Sequence, residues 1–251
     1  MKTIYKTPIT SLCLSFLLIN AANAACSDAA APQVNWEGCN KAKLNLQKSD
    51  LTEAALKNAN FQQTNFKKAR LTNADLGYTN LSNSTLDNIK AKKTRFIGAN
   101  LTEAVVKNAQ LSDAKFDRAN LRRAQIIESN LSNATFYNTN LTEANLRESN
   151  FSHGNFEQAK MEKIKADSAT FHQAVLSYSQ LEDANLQNTD FSRAKLDNSE
   201  LSGADFSNAN LRGADLHNAE ISNTIFTNAI LDNAIWVNRK RCRPGSIGVC
   251  K

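Results

Sequence analysis

Large apolar residues recur at every fifth position along most of this chain, in one unbroken register. The series runs from Leu46 to Trp236 and contains 39 positions, of which only Ala91 and Ala166 are small. An α-helix would repeat its apolar stripe about every 3.6 residues, and an ordinary strand would alternate inward and outward side chains. The five-residue period therefore excludes both as the main element of this region.

A second series, of small residues, lies two positions before the first. From Ala54 to Ala234 it holds Ala, Ser, Thr or Gly, except at Ile89 and Ile164. Residues two apart face the same way in an extended chain, so each repeat should be a very short strand with one large and one small side chain inward. Each exceptional Ile precedes one of the two small members of the first series, and we expect it to fill the space left there.

Asn and Gly are frequent at the position two residues after each large one. They occupy 17 of the 37 such sites between Glu53 and Asn233. Both residues tolerate the positive φ that a type II turn requires. Each repeat is therefore expected to end in a corner, and stacked repeats should form a solenoid.

The phenylalanines indicate how many repeats complete one coil. Six pairs lie 20 residues apart, against two pairs 5 apart and none 10 apart. Because like side chains stack on like, we predict four repeats per coil and a square cross-section. The repeats then make about ten coils, in a rod about 45 Å long at roughly 4.8 Å per coil.

Residues 1–24 have the pattern of a secretory signal peptide. Lys2 and Lys6 precede an apolar run from Ile9 to Ile19, and an Ala-x-Ala site ends at Ala24. The run is too short to span a membrane as a helix. We therefore predict cleavage after Ala24 and export to the periplasm or the medium.

The predicted mature chain would keep four cysteines, Cys26, Cys39, Cys242 and Cys250, and a net charge of +4. An even number of cysteines in an exported chain favours two disulfides, for which three pairings exist. A lipoprotein signal ending at Cys26 is the alternative to simple secretion. It fits less well, because Asn23 stands where such signals carry an aliphatic residue.

The repeats resemble those of the pentapeptide-repeat family, whose consensus is Ala, then Asp or Asn, then Leu and two variable residues. The resemblance covers about residues 46–236, and it implies an all-β fold, a right-handed quadrilateral β-helix. Clear matches are Ala74-Asp75-Leu76, Ala99-Asn100-Leu101, Ala119-Asn120-Leu121, Ala144-Asn145-Leu146, Ala204-Asp205-Phe206 and Ala214-Asp215-Leu216.

The implied fold bears on the disulfides and on the two ends. Cysteines from opposite ends of such a rod would be much further apart than a disulfide allows, so the resemblance implies Cys26–Cys39 and Cys242–Cys250. We predict an N-terminal cap at 25–45, the β-helix at 46–236 and a C-terminal cap or tail at 237–251.

The last repeats carry isoleucine at the outward position, which is normally polar. Three successive repeats do so, at Ile225, Ile230 and Ile235. We expect the tail to fold over them and to leave a monomer. Dimerisation through the C-terminal coils, a theme in the resembled family, is the alternative.

Charge is distributed unevenly along the rod: residues 41–130 carry a net charge of +8 and residues 181–236 one of −6. With a period of 20, one face should gather basic side chains and another should gather tyrosines. The basic candidates for contact are Lys67, Lys68, Arg70, Lys90 and Lys107, and the aromatic ones are Tyr78, Tyr137 and Tyr178. A basic face can attract anionic polymers or an anionic envelope surface.

No residue pattern indicates catalysis, a metal site or a cofactor, and His153, His172 and His217 are too few for a typical zinc site. We expect a non-enzymatic exported scaffold that binds a protein or an anionic polymer and does not span a membrane. Nucleic acid is not an expected partner, because the basic region lacks interleaved aromatic residues. The best-known activity of the resembled family, binding DNA gyrase as a DNA mimic, is the alternative. The signal peptide and the basic half disfavour it.

Overall fold

The structure is a computed structural model that describes residues 26–251. The predicted signal peptide and its cleavage site lie outside the described residues. In residues 26–251 the chain forms no helix. It follows that this part of the chain contains no helical segment able to cross a bilayer.

Backbone pairing repeats every 20 residues. Parallel bridges join each mid-face residue to the one 20 positions on, from Asn35 and Ala55 at one end to Asp215 and Ile235 at the other. One pair of bridges is extended into strands, β1 (Val105–Lys107) and β2 (Gln125–Ile127), which pair in parallel. The pairing thus has the predicted period of four five-residue repeats.

The backbone hydrogen bonds explain why this stacking is stable. The N–H of Leu101 donates to the Asn120 carbonyl on the next coil at 2.7 Å, and the N–H of Asn120 donates back to the Ala99 carbonyl at 2.9 Å. A third bond, from the Ala104 N–H to the Leu101 carbonyl at 3.0 Å, closes the corner of the repeat. Each coil therefore satisfies the polar backbone groups of its neighbours.

Every corner uses the left-handed backbone conformation at the predicted position. From Gln33 to Asn233, φ at this position lies between 51° and 72°. Asn and Gly adopt such values readily, but Lys68, Tyr78 and Glu103 are held there as well. The predicted positive φ is therefore confirmed, and it is imposed by the coil at sites whose residue type does not favour it.

Stacked phenylalanines fill part of the interior. Ring centroids are 4.8 Å apart between Phe96 and Phe116, 5.0 Å between Phe116 and Phe136, and 4.5 Å between Phe136 and Phe156. In each pair the ring planes are within 7° of parallel. The ladder of like side chains at a spacing of 20 is confirmed.

The two size exchanges in the repeat leave the ladder intact. Ile89 and Ala91 are both buried, as are their counterparts Ile164 and Ala166. Lys90, between the first pair, still bridges to Arg70 and Gln110 in the regular register. The exchange of large and small side chains is therefore accommodated in the core without a bulge.

At the N-terminal end, Cys26 and Cys39 form a disulfide with a Cα separation of 5.5 Å. Regular pairing begins at Asn35, inside the segment predicted as a cap, because backbone pairing continues although Lys41 occupies an inward position. The Lys41 Nζ donates to the Cys26 carbonyl at 2.7 Å and lies 3.8 Å from the centre of the Trp36 ring. Burial lowers the pKa of Lys41.

At the C-terminal end, Cys242 and Cys250 form the second disulfide. The tail turns back and pairs antiparallel with the last coil, Arg241 with Ile235 and Ile247 with Ile230. Ile235 and Ile230 are half-buried as a result, whereas Ile225 stays 46% exposed. The expected cover by the tail is therefore present for two of the three isoleucines.

We expect Phe116→Asp to prevent folding through the middle of the rod. The change puts an unpaired carboxylate between stacked rings, and loss of a buried ring alone typically costs about 3–5 kcal/mol. Phe116→Leu, which introduces the commonest residue of the series, is the control and should keep a cooperative melt at a lower Tm. Thermal melting by circular dichroism compares the two, and an aspartate variant that melts like the unaltered protein would contradict the inward placement.

Candidate interaction surfaces

The predicted basic residues lie at one corner and on the face that follows it, and together we call them the basic face. Arg70 and Lys90 are direct bridge partners on adjacent coils. The corner that holds Lys67 and Lys68 stacks on the next corner, which in turn stacks on that of Lys107. The structure therefore brings all five predicted residues to one side of the rod.

Only part of the charge on the basic face is neutralised. The Arg70 Nε lies 3.5 Å from Asp50. Asp87 lies between the corners of Lys67 and Lys107, and its carboxylate accepts the Lys107 backbone N–H at 3.2 Å. In the described part of the chain, the ammonium groups of four residues form no ion pair: Lys67, Lys68, Lys90 and Lys107.

The three candidate tyrosines are exposed along one other corner of the rod, on different coils. The Tyr78 ring packs over Gly98, where an added Cβ would lie 2.6 Å from the ring. The Tyr137 hydroxyl donates to Gln158 at 3.1 Å. Among the described aromatic pairs, none joins two of these tyrosines. They share an edge of the rod but are not in contact with each other.

A cluster of carboxylates around Glu182 was not identified from the sequence. Glu162 and Glu182 lie at the same corner on adjacent coils, since the Lys163 N–H donates to the Glu182 carbonyl. Burial raises the pKa of Glu182 to about 7, and hydrogen bonding to Glu200 and the charges of Glu200 and Glu162 add to the effect. The spacing of 20 between the two corner glutamates is the signal that could have revealed the cluster.

The protonated form of Glu182 is the one that suits this site. Its Oε2 atom is buried and, as a carboxylate oxygen, has no hydrogen-bond partner in residues 26–251. A proton on that carboxyl allows it to donate to Glu200, and it also removes the repulsion between like charges.

Two of the histidines are neighbours, as the period predicts. The rings of His153 and His172 are 5.8 Å apart and nearly perpendicular, and the Nδ1 of His172 lies 2.7 Å from the Ser192 hydroxyl. Within the described chain, no three His, Cys, Asp or Glu residues are grouped so that they could hold a metal ion.

Two family models match the sequence. One, described as a pentapeptide repeat region, matches residues 78–146, and the other, described as pentapeptide repeats, matches residues 49–88, 129–165, 167–203 and 199–235. Together they cover most of the chain. A search of curated proteins gave no match.

Several solved structures are similar to this one. HetL from the cyanobacterium Nostoc sp. strain PCC 7120, a pentapeptide repeat protein involved in heterocyst differentiation regulation, aligns with a TM-score of 0.58 and 23% identity over 86% of this chain and 95% of its own. QnrB1, a plasmid-mediated fluoroquinolone resistance protein, aligns with a TM-score of 0.42 and 23% identity over 55% of this chain and 78% of its own. Rfr23 from the cyanobacterium Cyanothece 51142 gives 0.34 and 29% over 45% and 63%. At this identity the likeness to HetL concerns the fold alone.

The raised pKa of Glu182 predicts a pH-dependent stability. Because the folded-state pKa of about 7 exceeds the ordinary value of 4.5, this carboxyl stabilises the fold below about pH 4.5, and the contribution is lost as the pH rises through about 7. Glu182→Gln, which mimics the protonated form, should therefore raise the Tm at about pH 8 by roughly 2–4 °C, an effect discounted for partial exposure. At about pH 4.5 the two proteins should melt together.

The matched control for this measurement is Glu162→Gln. It removes a charge from the same corner and leaves the buried Glu182 oxygen in place. A Glu182→Gln variant whose Tm differs from that of the unaltered protein by the same amount at both pH values would contradict the assignment.

Proposed function

Given that this chain belongs to the pentapeptide repeat family, we propose that it is a rigid, non-enzymatic scaffold whose basic face binds an anionic polymer or the acidic surface of a protein. Proteins of this family fold as right-handed β-helices. For this chain we infer about ten coils. We also infer that its Cys26–Cys39 and Cys242–Cys250 disulfides fasten caps at the two ends.

The observation that carries the proposal is the set of four unpaired lysines on the basic face. Their backbone positions are fixed by hydrogen bonds between coils, so the ammonium groups cannot separate by much more than their side chains allow. Like charges held on adjacent coils, roughly 4.8 Å apart along the axis, create a local positive potential that an anionic partner relieves. An extended partner suits a ladder of this kind, whereas a small substrate needs a concave pocket.

We also propose that the mature protein is exported after cleavage behind Ala24. Two disulfides, one close to each end, support this proposal. Disulfides persist in oxidising compartments and are rare in the cytosol.

We expect a variant with Lys67, Lys68, Lys90 and Lys107 all changed to Gln to bind dextran sulfate at least about tenfold more weakly at low ionic strength. The loss should shrink as salt is added. The control removes four exposed lysines from elsewhere on the rod, at Lys160, Lys163, Lys165 and Lys195. Equal losses in the two variants would mean that net charge, rather than the basic face, determines binding.

Mass spectrometry of the protein recovered from the envelope or the medium tests the export proposal. We expect an N-terminus at Ala25, and a mass lower by four hydrogens than that of the reduced chain because two disulfides have formed. A diacylglyceryl group on Cys26 would contradict simple secretion, and it would also leave Cys39 without the disulfide partner that the structure gives it.

A further inference from the structure

The tail leaves part of the last coil open at the C-terminal end of the rod. One coil earlier, the Leu201 and Phe206 N–H groups donate to the carbonyls of Glu220 and Ile225 at 2.8 Å. In residues 26–251 the equivalent N–H groups of Ile221 and Phe226, together with those of Asn223 and Asn228, have no hydrogen-bond partner. These donors point along the rod axis, away from the body of the rod.

Exposed aliphatic side chains surround this open edge. Ile225 is 46% exposed, Ile247 58% and Val249 59%. The Gly248 N–H donates to the Ala229 carbonyl at 2.9 Å, and this bond holds Ile247 and Val249 at the end of the last coil. Few other large apolar side chains of the described chain are as exposed.

The same end carries a dense group of basic residues. Trp236 and four of them line a shallow concavity, Lys240, Arg241, Arg243 and Lys251. Arg239 precedes them in the turn. Within the described residues none of the five basic side chains forms an ion pair.

The tail that holds these residues is fixed to the rod. Besides the Cys242–Cys250 disulfide, the Asp232 carboxylate accepts the Gly245 and Ser246 N–H groups at 2.7 and 3.2 Å. Its other oxygen accepts a hydrogen bond from Arg212 at 3.2 Å. The backbone N–H bonds hold the pKa of Asp232 below its usual value, so the anchor is ionised at neutral pH.

We propose that this end docks on an anionic lipid bilayer, so that the rod stands upright on a membrane surface. The proposal rests on the proposed function of an exported scaffold with anionic partners, and it names a second site and its partner. We call the site the C-terminal end surface; it consists of the five basic residues with Ile225, Ile247 and Val249.

The chemistry of the end surface matches the interface of such a bilayer. Basic residues close to an anionic membrane are each attracted to it, and protruding aliphatic side chains can enter the boundary between headgroups and acyl chains. The unpaired N–H groups can donate to headgroup phosphates, so they need not be buried without partners. Three aliphatic side chains suit a reversible peripheral contact.

A second copy of the chain fits this end less well. An end-to-end dimer with two-fold symmetry would bring the same five basic residues of both copies together, and like charges in one interface oppose association. The aliphatic side chains protrude, so a protein partner would need matching pockets, whereas a fluid bilayer accommodates them without a fixed shape.

Vesicle binding by the full mature chain tests the proposal. We expect co-sedimentation with vesicles that contain phosphatidylglycerol, little with vesicles of phosphatidylcholine alone, and release by salt. Lys240→Gln, Arg243→Gln and Lys251→Gln combined should weaken binding at least about tenfold. Ile247→Ser with Val249→Ser should also weaken it, and brominated lipids should quench Trp236 in the unaltered protein only. Both variants should keep the unaltered Tm, because the anchoring Asp232 and the disulfide remain.

The matched control is the basic-face variant, with Lys67, Lys68, Lys90 and Lys107 changed to Gln. It should bind vesicles within about twofold of the unaltered protein, since it leaves the end surface intact. Vesicle binding lost in this control but kept in the tail variants would overturn the proposal. So would equal binding to both kinds of vesicle, or self-association in light scattering that the tail variants abolish. The dextran sulfate measurement contains no lipid, so failure of the proposed function is detected separately.

Discussion

A coil of this rod closes only if all four corners return the chain to the same register after twenty residues. The left-handed conformation at each corner and the hydrogen bonds between coils together impose that register. Lys68 and Tyr78 adopt a positive φ of about 60° although their side chains disfavour it. The surface residues are therefore held in place by the backbone of the whole coil, and their own conformational preferences count for less.

The same register determines the electrostatics of the surface. Where unlike charges lie one coil apart they form ion pairs, as Arg147 does with Asp167 at 2.8 Å and Arg123 with Glu143 at 2.6 Å. Where like charges occupy the stacked positions they have no such relief. The unpaired lysines of the basic face and the raised pKa of Glu182 beside Glu162 are two results of one geometric rule.

The repeat explains which features could be predicted from the sequence. Inward positions, corners and the phenylalanine ladder follow from a local pattern of five residues, and they agree with the structure. Features that depend on side-chain reach or on chain ends did not follow. The pairing of Arg70 with Asp50 reduces the charge of the basic face, and the tail covers Ile230 and Ile235 but not Ile225 because it pairs along two faces only.

The central claim is that a spacing of 20 residues along the chain is one step along a rigid axis. Spin labels at Asn60 and Lys160, five coils apart on one face, test it directly by pulsed electron paramagnetic resonance. With roughly 4.8 Å per coil, a narrow distance distribution near about 24 Å is expected, broadened only by the label side chains. A broad distribution, or a mean distance more than about 10 Å from this value, would contradict a rigid coil of four repeats.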